Sequence, residues 1–477
     1  MTWLIAVLLF FLFQAATVLV LEHRRPANAV AWLFILFLFP LVGFVLYYFL
    51  AHEYRRRRKA RKREGDGRSG RRRNAWMGRI RLLDRPELLP SPEFAKQDRL
   101  FRLLARVEDA PITGRNRTSV LTNAQATYEQ MLAAIRAARR HIHFASYIIR
   151  DDATGRLFRD LLAEKAREGV QVRLLYDGIG SHKLKKSFFR PLEASGASYA
   201  CFFPLRPSFF KKRMNYRNHR KILVADGRKG FIGGINIGDE YLGKDRRLGF
   251  WRDTHLLVEG DAVYELQEVF LRDWELATGE RPDDPSFFPA HDCPGSEAVQ
   301  IVSGGPNRRE DAIHETLYAL FSAARERIWI TTPYFIPTGS LAMALRTASL
   351  SGADVRLLIP LVPDTYLVYY ASLSYLEDLM RAGVRVWQYE KGFVHAKVVL
   401  IDRLLASVGT ANMDLRSFFS NFEMNAHLFD PGAIARLEED FLRDLGDSRE
   451  LTLDAYQSRT KAQRLKETVA RMLSPLL

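Results

Sequence analysis

Two runs near the start of the chain are almost wholly apolar. Residues 3–21, "WLIAVLLFFLFQAATVLVL", are broken only by Gln14 and Thr17, and residues 29–51 carry no charge. At 1.5 Å per residue, each is about long enough for a hydrocarbon core of roughly 30 Å. A cleaved signal peptide fits the first run less well, because no positive segment precedes it and a second run follows at once. The pattern predicts a two-helix transmembrane hairpin over residues 1–52. Pro40 inside the second run predicts a kink absorbed by neighbouring groups. Residues 53–99 then read as a basic region and linker, with glycine and proline punctuating 64–96 and no sustained periodicity.

From about residue 120 the pattern repeats itself. "AAIRAARRHIHFASYII" (133–149) parallels "ALFSAARERIWITTPYFI" (319–336), each a helix end running into a strand. "GVQVRLLYDGIGS" (169–181) parallels "GADVRLLIPLVPD" (352–364), each a short apolar run typical of a buried strand. "LEASGASYACFFP" (192–204) parallels "LMRAGVRVWQYE" (379–390). Strands alternating with helices predict an α/β fold: two duplicated α/β/α domains, 100–292 and 293–477, packed about a pseudo-twofold axis. Two copies that never share a site remain the alternative at this point.

Composition changes this picture little. At 477 residues and 47% hydrophobic content, the chain is long enough for more than one unit and mostly globular. Cys201 and Cys293 are the only cysteines, and neither lies in a Cys-x-x-Cys pair, so zinc-ribbon and disulfide frameworks are excluded. Charge is more informative. The net charge is +16, but residues 55–73 hold twelve Lys/Arg against Glu64 and Asp66, so most of the excess is one local run. A basic face spread over a domain, the footprint of a nucleic-acid protein, is not what this pattern shows, and no nucleic-acid partner is expected. The cluster should stay on the cytoplasmic side, putting both termini there and the loop 22–28 outside, although Arg24 and Arg25 in that loop argue mildly the other way. It can also lie against an anionic membrane surface.

The candidate chemistry is itself duplicated. "NHRKILVADG" (218–227) and "VHAKVVLIDR" (394–403) share His-x-Lys-x-x-x-x-Asp, as His219/Lys221/Asp226 and His395/Lys397/Asp402. Side chains at i and i+2 of a strand project together, so each histidine shares a face with its lysine, while Arg220 and Ala396 point away. Lysine suits the non-bridging oxygens of a phosphodiester, and neutral imidazole can attack phosphorus or move a proton. Two copies meeting at an interface provide a nucleophile, an acid and two cations around one phosphate. The aspartates are expected to brace the strand and turn. Each half then has glycine and asparagine at equal offset, "GGIN" with Asn236 and "GTAN" with Asn412, whose amides can donate to a phosphate oxygen. Asp253 and Glu423 can each hold the second nitrogen of a histidine. His141 and His143 read as core-edge residues. No metal-ligand spacing is present, so no metal is expected.

These paired motifs resemble the phospholipase D superfamily. "NYRNHRKILVADG", "GGINIGDEY", "FWRDTHLLVEG", "VQIVSGGPN", "TPYFIPTGSL", "GFVHAKVVLID" and "GTANMDLRSFFSNFEMN", with the N-terminal hairpin, are similar to the bacterial cardiolipin synthase family in particular. Many superfamily members carry serine after the turn glycine, where this chain has Gly234 and Thr410. The resemblance implies a membrane enzyme without a cofactor. It would transfer a phosphatidyl group from one phosphatidylglycerol to another through a phosphohistidine, giving cardiolipin and glycerol. It implies His219 as nucleophile and His395 as acid then base. A phospholipase D hydrolase, a membrane-tethered nuclease and an inactive scaffold are the alternatives. The expected location is the bacterial plasma membrane, with the catalytic halves facing the cytoplasm. Oligomeric state is left open.

Overall fold

The computed structural model describes residues 2–21, 26–50, 76–89, 94, 96–204, 216–280, 282–290, 293, 295–308 and 311–477. The basic run 55–73 and the loop arginines Arg24 and Arg25 lie outside them.

The N-terminal runs form α1 (Thr2–Leu21), α2 (Pro26–Leu38) and α3 (Pro40–Leu50). The second run is therefore two helices of 13 and 11 residues, not one. Proline has no N–H to give, so the helix stops at Leu38 and restarts at Pro40. Gln14, buried in α1, donates its amide N–H to the Pro40 carbonyl at 3.2 Å. Among the described residues, no helix is long and apolar enough to cross a membrane. The expected transmembrane hairpin is thus not supported as two spanning helices; α1 and the kinked α2–α3 pair form an assembly in which Val18, Ala29, Trp32, Leu36 and Tyr47 pack together.

Part of the expected linker is also built into the fold. Trp76 is buried, stacked on Phe288 at 6.0 Å and tilted against Tyr264, and Leu83, Leu89 and Phe94 are core residues. Single apolar anchors spaced irregularly give no periodic signal, which is why the stretch reads as linker.

The catalytic region is built on one continuous sheet, beside which Phe250–Arg252 and Gly392–Val394 form a separate two-stranded sheet. The first half contributes β1 (Ile112–Thr122), β2 (His141–Ser146), β3 (Gln171–Asp177), β4 (Ser198–Phe202), β5 (Arg217–Asn218), β6 (Ile222–Ala225), β7 (Lys229–Gly233), β8 (Phe250–Arg252) and β9 (Thr254–Gly260). The second contributes β10 (Glu297–Gly304), β11 (Arg327–Thr331), β12 (Asp354–Pro360), β13 (Arg385–Tyr389), β14 (Gly392–Val394), β15 (Val398–Ile401), β16 (Leu405–Gly409), β17 (Asn421–Leu428) and β18 (Ser448–Leu451). Read from one edge, the order is β4-β3-β2-β6-β7-β9-β1, then β10-β17-β16-β15-β11-β12-β13-β18. The second half is the first reversed, with β18 added at the edge. The halves join by antiparallel pairing of β1 with β10, Ile112 opposite Gln300.

Helices cover both faces, as parallel strands such as β2–β3–β4 and β11–β12–β13 require. On one face the helices Ala262–Thr278 and Pro431–Gly446 press Val263, Phe270, Leu437 and Phe441 into an apolar layer fed by strands of both halves. On the other face each half has its own core. The shared layer makes the midline a packed interior, so the halves hold a fixed relation.

Candidate active site

Two short strands cross from one half to the other. β5 pairs with β17, setting Asn218 beside Phe422, and β14 pairs with β8, setting Val394 beside Arg252. Both lie immediately before a motif histidine. The His219 backbone N–H donates to the Phe422 carbonyl at 2.9 Å, and that of His395 donates to the Arg252 carbonyl at 2.7 Å. Each histidine is thus fixed to the opposite half by its own backbone.

The side chains repeat the exchange. His219 Nδ1 lies 3.0 Å from a Glu423 carboxylate oxygen and 3.1 Å from the Thr410 carbonyl. His395 Nδ1 lies 2.7 Å from Asp253 Oδ2. Carbonyl and carboxylate oxygens only accept, so Nδ1 carries the proton in both rings and the lone pair sits on Nε2. Glu423 and Asp253, expected to orient histidines, do so in trans across the two halves. Independent copies are excluded, because each histidine takes its carboxylate from the other repeat.

The lysines complete the pocket. Lys221 Nζ donates to its own His219 carbonyl at 2.7 Å, and Lys397 Nζ donates to the His395 carbonyl. Tyr147 lies 4.8 Å from the His219 ring and 5.3 Å from Lys221 Nζ, so histidine and lysine share one side as the strand period predicts. Arg220 turns the other way, bonding Asp273 at 2.6 Å, the Glu423 carbonyl at 3.0 Å and the Gly304 carbonyl at 2.7 Å.

Burial sets the electrostatics. It lowers the His219 pKa, against the opposing pull of Glu423. It brings His395 down to about 3, with the Lys397 charge acting the same way. Lys221 falls to about 7 and Lys397 to about 8, again mainly through burial. Burial would raise Asp253 and Glu423, but their histidine and lysine neighbours outweigh it and hold both low. The pocket therefore pairs two ionised carboxylates with two neutral imidazoles and two easily neutralised lysines. A bound phosphodiester would add negative charge, favouring protonated lysines and one imidazolium.

Asp226 and Asp402 stand elsewhere. Asp226 accepts backbone N–H bonds from Arg139, Arg140 and His141 at 2.8, 2.8 and 2.9 Å. Asp402 accepts from Arg325, Glu326 and Arg327 at 2.7, 2.8 and 2.8 Å. Both residues have positive φ, 54° and 49°, in the turn beyond the motif strand. They clamp the entry to β2 and β11. This corrects their grouping with the catalytic residues and agrees with the bracing role.

The two asparagines differ. Asn236 Oδ1 accepts from the Ile148 N–H at 3.1 Å, whereas Asn412 Oδ1 is buried without a hydrogen-bond partner. The protein holds the amide oxygen of the first and not that of the second. Gly234 and Thr410 also differ. Thr410 Oγ1 donates to Glu423 at 2.5 Å, while a Cβ at Gly234 would lie 2.1 Å from Asp253 Oδ1. The first site has no room for the hydroxyl that the second uses.

Some supporting residues were not found from sequence. Asp177 accepts from the N–H groups of Ile179, Gly180 and Asn218, so it holds the residue before His219. Its signal was an acid ending a buried strand, in "LLYDG". Trp251, 5.1 Å from the His395 ring, had none beyond adjacency to Asp253. His141 and His143 are fully buried against Gln267, Phe270 and Phe287 rather than at a core edge. The cysteines stand apart, and burial raises the Cys201 thiol to about 11. Among the described residues, no group of three or more His, Cys, Asp or Glu is placed to hold a metal ion.

Residues 131–274 and 317–445 match the family model described as cardiolipin synthase, PLD-like domain, which brackets both motifs. The chain belongs to the cardiolipin synthase family of phospholipase D-like proteins. It is 44% identical to cardiolipin synthase 2 of Bacillus anthracis, covering 98% of this chain and 90% of the relative. It is 40% identical to the major cardiolipin synthase of Bacillus subtilis (strain 168), covering 98% of each. Among solved structures, phosphatidylserine synthase of Haemophilus influenzae Rd KW20 superposes with a TM-score of 0.59 at 15% identity, over 79% of this chain and 96% of the other. That likeness concerns the fold. Membership of the family accounts for the internal duplication, since one phospholipase D-like repeat carries only one histidine and one lysine.

Proposed function

We propose that this chain is a phosphatidyltransferase that makes cardiolipin from two molecules of phosphatidylglycerol. The observation that carries the reading is the reciprocal pairing of His219 with Glu423 and His395 with Asp253. In the first step Nε2 of His219 attacks phosphorus. The P–O bond to glycerol breaks, and His395 gives the departing oxygen its proton. In the second step neutral His395 takes the proton from the hydroxyl of a second phosphatidylglycerol. That oxygen forms the new P–O bond as the P–N bond to His219 breaks. Lys221 and Lys397 hold the non-bridging oxygens, with Asn236 and Asn412 in reach of the same group. No cofactor enters either step.

The chain's place in the cell belongs to the same proposal. α1 and the kinked α2–α3 pair carry no charge, and they expose large apolar residues including Leu9, Phe13, Phe37 and Leu41. In a bilayer they form a hairpin that holds the enzyme at the plasma membrane, its catalytic halves in the cytoplasm beside the basic run. A single cysteine at residues 22–28 should be labelled by an impermeant thiol reagent on intact cells; protection there, with the catalytic halves labelled instead, inverts the topology.

Purified protein in phosphatidylglycerol vesicles should release glycerol and form cardiolipin in equal amounts. Added glycerol should run the reaction backwards, because glycerol can capture a phosphohistidine made from cardiolipin. Phosphatidic acid as the dominant product, insensitive to glycerol, makes the enzyme a hydrolase.

A further inference from the structure

We propose that the helices Lys461–Leu473 and Tyr366–Leu373 form a second membrane-docking face, which sets the mouth of the catalytic pocket against an anionic bilayer.

The helix Lys461–Leu473 has a buried side, Glu467 and Ala470, and an outer side that is apolar where a surface helix should be polar. Leu465, Val469 and Met472 recur at i, i+4 and i+7, and Leu465 is 65% exposed. Lys461, Arg464, Lys466 and Arg471 flank the stripe, all exposed. The single acid on the helix, Glu467, faces inward and is bonded to Arg459 at 2.8 Å. Arg464 and Arg471 donate to the backbone carbonyls of Gln457 and Ser374, so those bonds leave their charge unneutralised. An apolar stripe between exposed cations is the pattern of a helix lying in an anionic lipid interface.

Tyr366–Leu373 extends this face toward the chemistry. Lys466 Nζ lies 5.5 Å over the Tyr370 ring, joining the two helices. Tyr366 is 64% exposed and Leu367 40%. Two residues before Tyr366, Asp364 accepts from the Tyr334 hydroxyl, and its charge bears on Lys397. The exposed aromatic and aliphatic pair therefore follows, within three residues, an acid whose charge reaches the catalytic lysine.

The other end of the face is continuous with the N-terminal helices. Tyr375 Oη is 2.8 Å from Ser474 Oγ, just past the basic helix. Leu476 packs on the cluster of Val18, Trp32 and Tyr47. Leu477 packs with Ile336, Ala371 and Ala470. One surface thus runs from α1–α3 through the C-terminus to Tyr366 and Leu367, with apolar residues and cations along its length. The inference rests in part on α1–α3 lying in the bilayer, and the experiment separates the two.

The full chain, with Cys201→Ala and Cys293→Ala, receives an environment-sensitive fluorophore on Leu465→Cys or, separately, on Leu12→Cys. It is reconstituted in vesicles of phosphatidylglycerol and phosphatidylcholine containing a nitroxide-lipid quencher. The label at 465 should shift blue and be quenched in the anionic vesicles. Both effects should fade in phosphatidylcholine alone or at high salt. Lys461→Glu/Lys466→Glu should lower turnover of vesicular phosphatidylglycerol at least about 25-fold, from roughly fivefold for each of the two surface charges lost. It should leave turnover of a short-chain, monomeric phosphatidylglycerol unchanged. A label at 465 equally exposed to water in anionic and neutral vesicles overturns the inference, whatever the label at 12 reports. A blue shift that follows protein concentration rather than lipid charge also overturns it, placing a second copy on the face. Quenching at 465 without quenching at 12 upholds the face and overturns the hairpin.

Discussion

His219→Ala and His395→Ala will each reduce turnover by about 10⁴-fold or more, and the double variant will be no worse than either alone. Residues that act as one unit lose their effect together when any member is removed. Here the unit is physical, since each ring is anchored by backbone and side chain to the repeat that holds the other ring. Steady-state turnover of labelled phosphatidylglycerol measures the loss. If each single variant keeps about half the wild-type rate, the two motifs work independently. The variants also assign the roles. His395→Ala keeps the proposed nucleophile but lacks the acid of the first step and the base of the second, so the phosphoenzyme it forms slowly and cannot discharge should carry its label on His219. Label on His395 in the His219 variant reverses the assignment.

Asp253→Asn should lower kcat on the order of 10³-fold with little change in fold stability, because the amide nearly matches the carboxylate in shape. The carboxylate only accepts and keeps the His395 proton on Nδ1; an amide can instead offer an N–H to that nitrogen and favour the wrong tautomer. Glu423→Gln should do the same to His219. The pH profile separates this role from mere packing. In the free enzyme, Lys221 at about 7 and Lys397 at about 8 lose their charge as pH rises, so kcat/KM should fall on the alkaline side. Asp253 is a negative charge that favours protonated Lys397. Removing that charge lets Lys397 deprotonate earlier, so the alkaline limb should move to lower pH in Asp253→Asn. A limb that stays in place, with kcat lowered, reduces Asp253 to a structural contact.

The parts of the fold that were legible in sequence are those with strong periodicity. The strands β2, β3, β11 and β12 fall within the apolar runs read from the repeats, and the motif strands β6 and β15 follow their lysines as the alternation required. The site residues were legible because the duplication singled them out together. What sequence could not show is which repeat supplies which partner. Nothing in "FWRDTH" or "NFEMN" says that Asp253 faces His395 or that Glu423 faces His219, since the pairings span 142 and 204 residues. Asp177 escaped because its work is done through backbone N–H groups, which leave no pattern. Trp76 escaped because a lone anchor in a glycine- and proline-rich stretch looks like linker. The kink expected at Pro40 is present: the proline lacks its own N–H, while Phe39 and Gly43 still donate to the Ile35 and Phe39 carbonyls at 2.8 and 2.6 Å.

The crossing of the two short strands also governs when during synthesis the enzyme can become active. A ribosome that has delivered His219 has yet to make the Phe422 carbonyl and the Glu423 carboxylate that seat it, 204 residues later for the carboxylate. At about 5–20 residues per second, that interval is on the order of 10–40 s. During it the growing chain carries one full motif with neither of its supports. The nascent enzyme is chemically silent until its last quarter arrives, and truncated products of failed synthesis stay silent too.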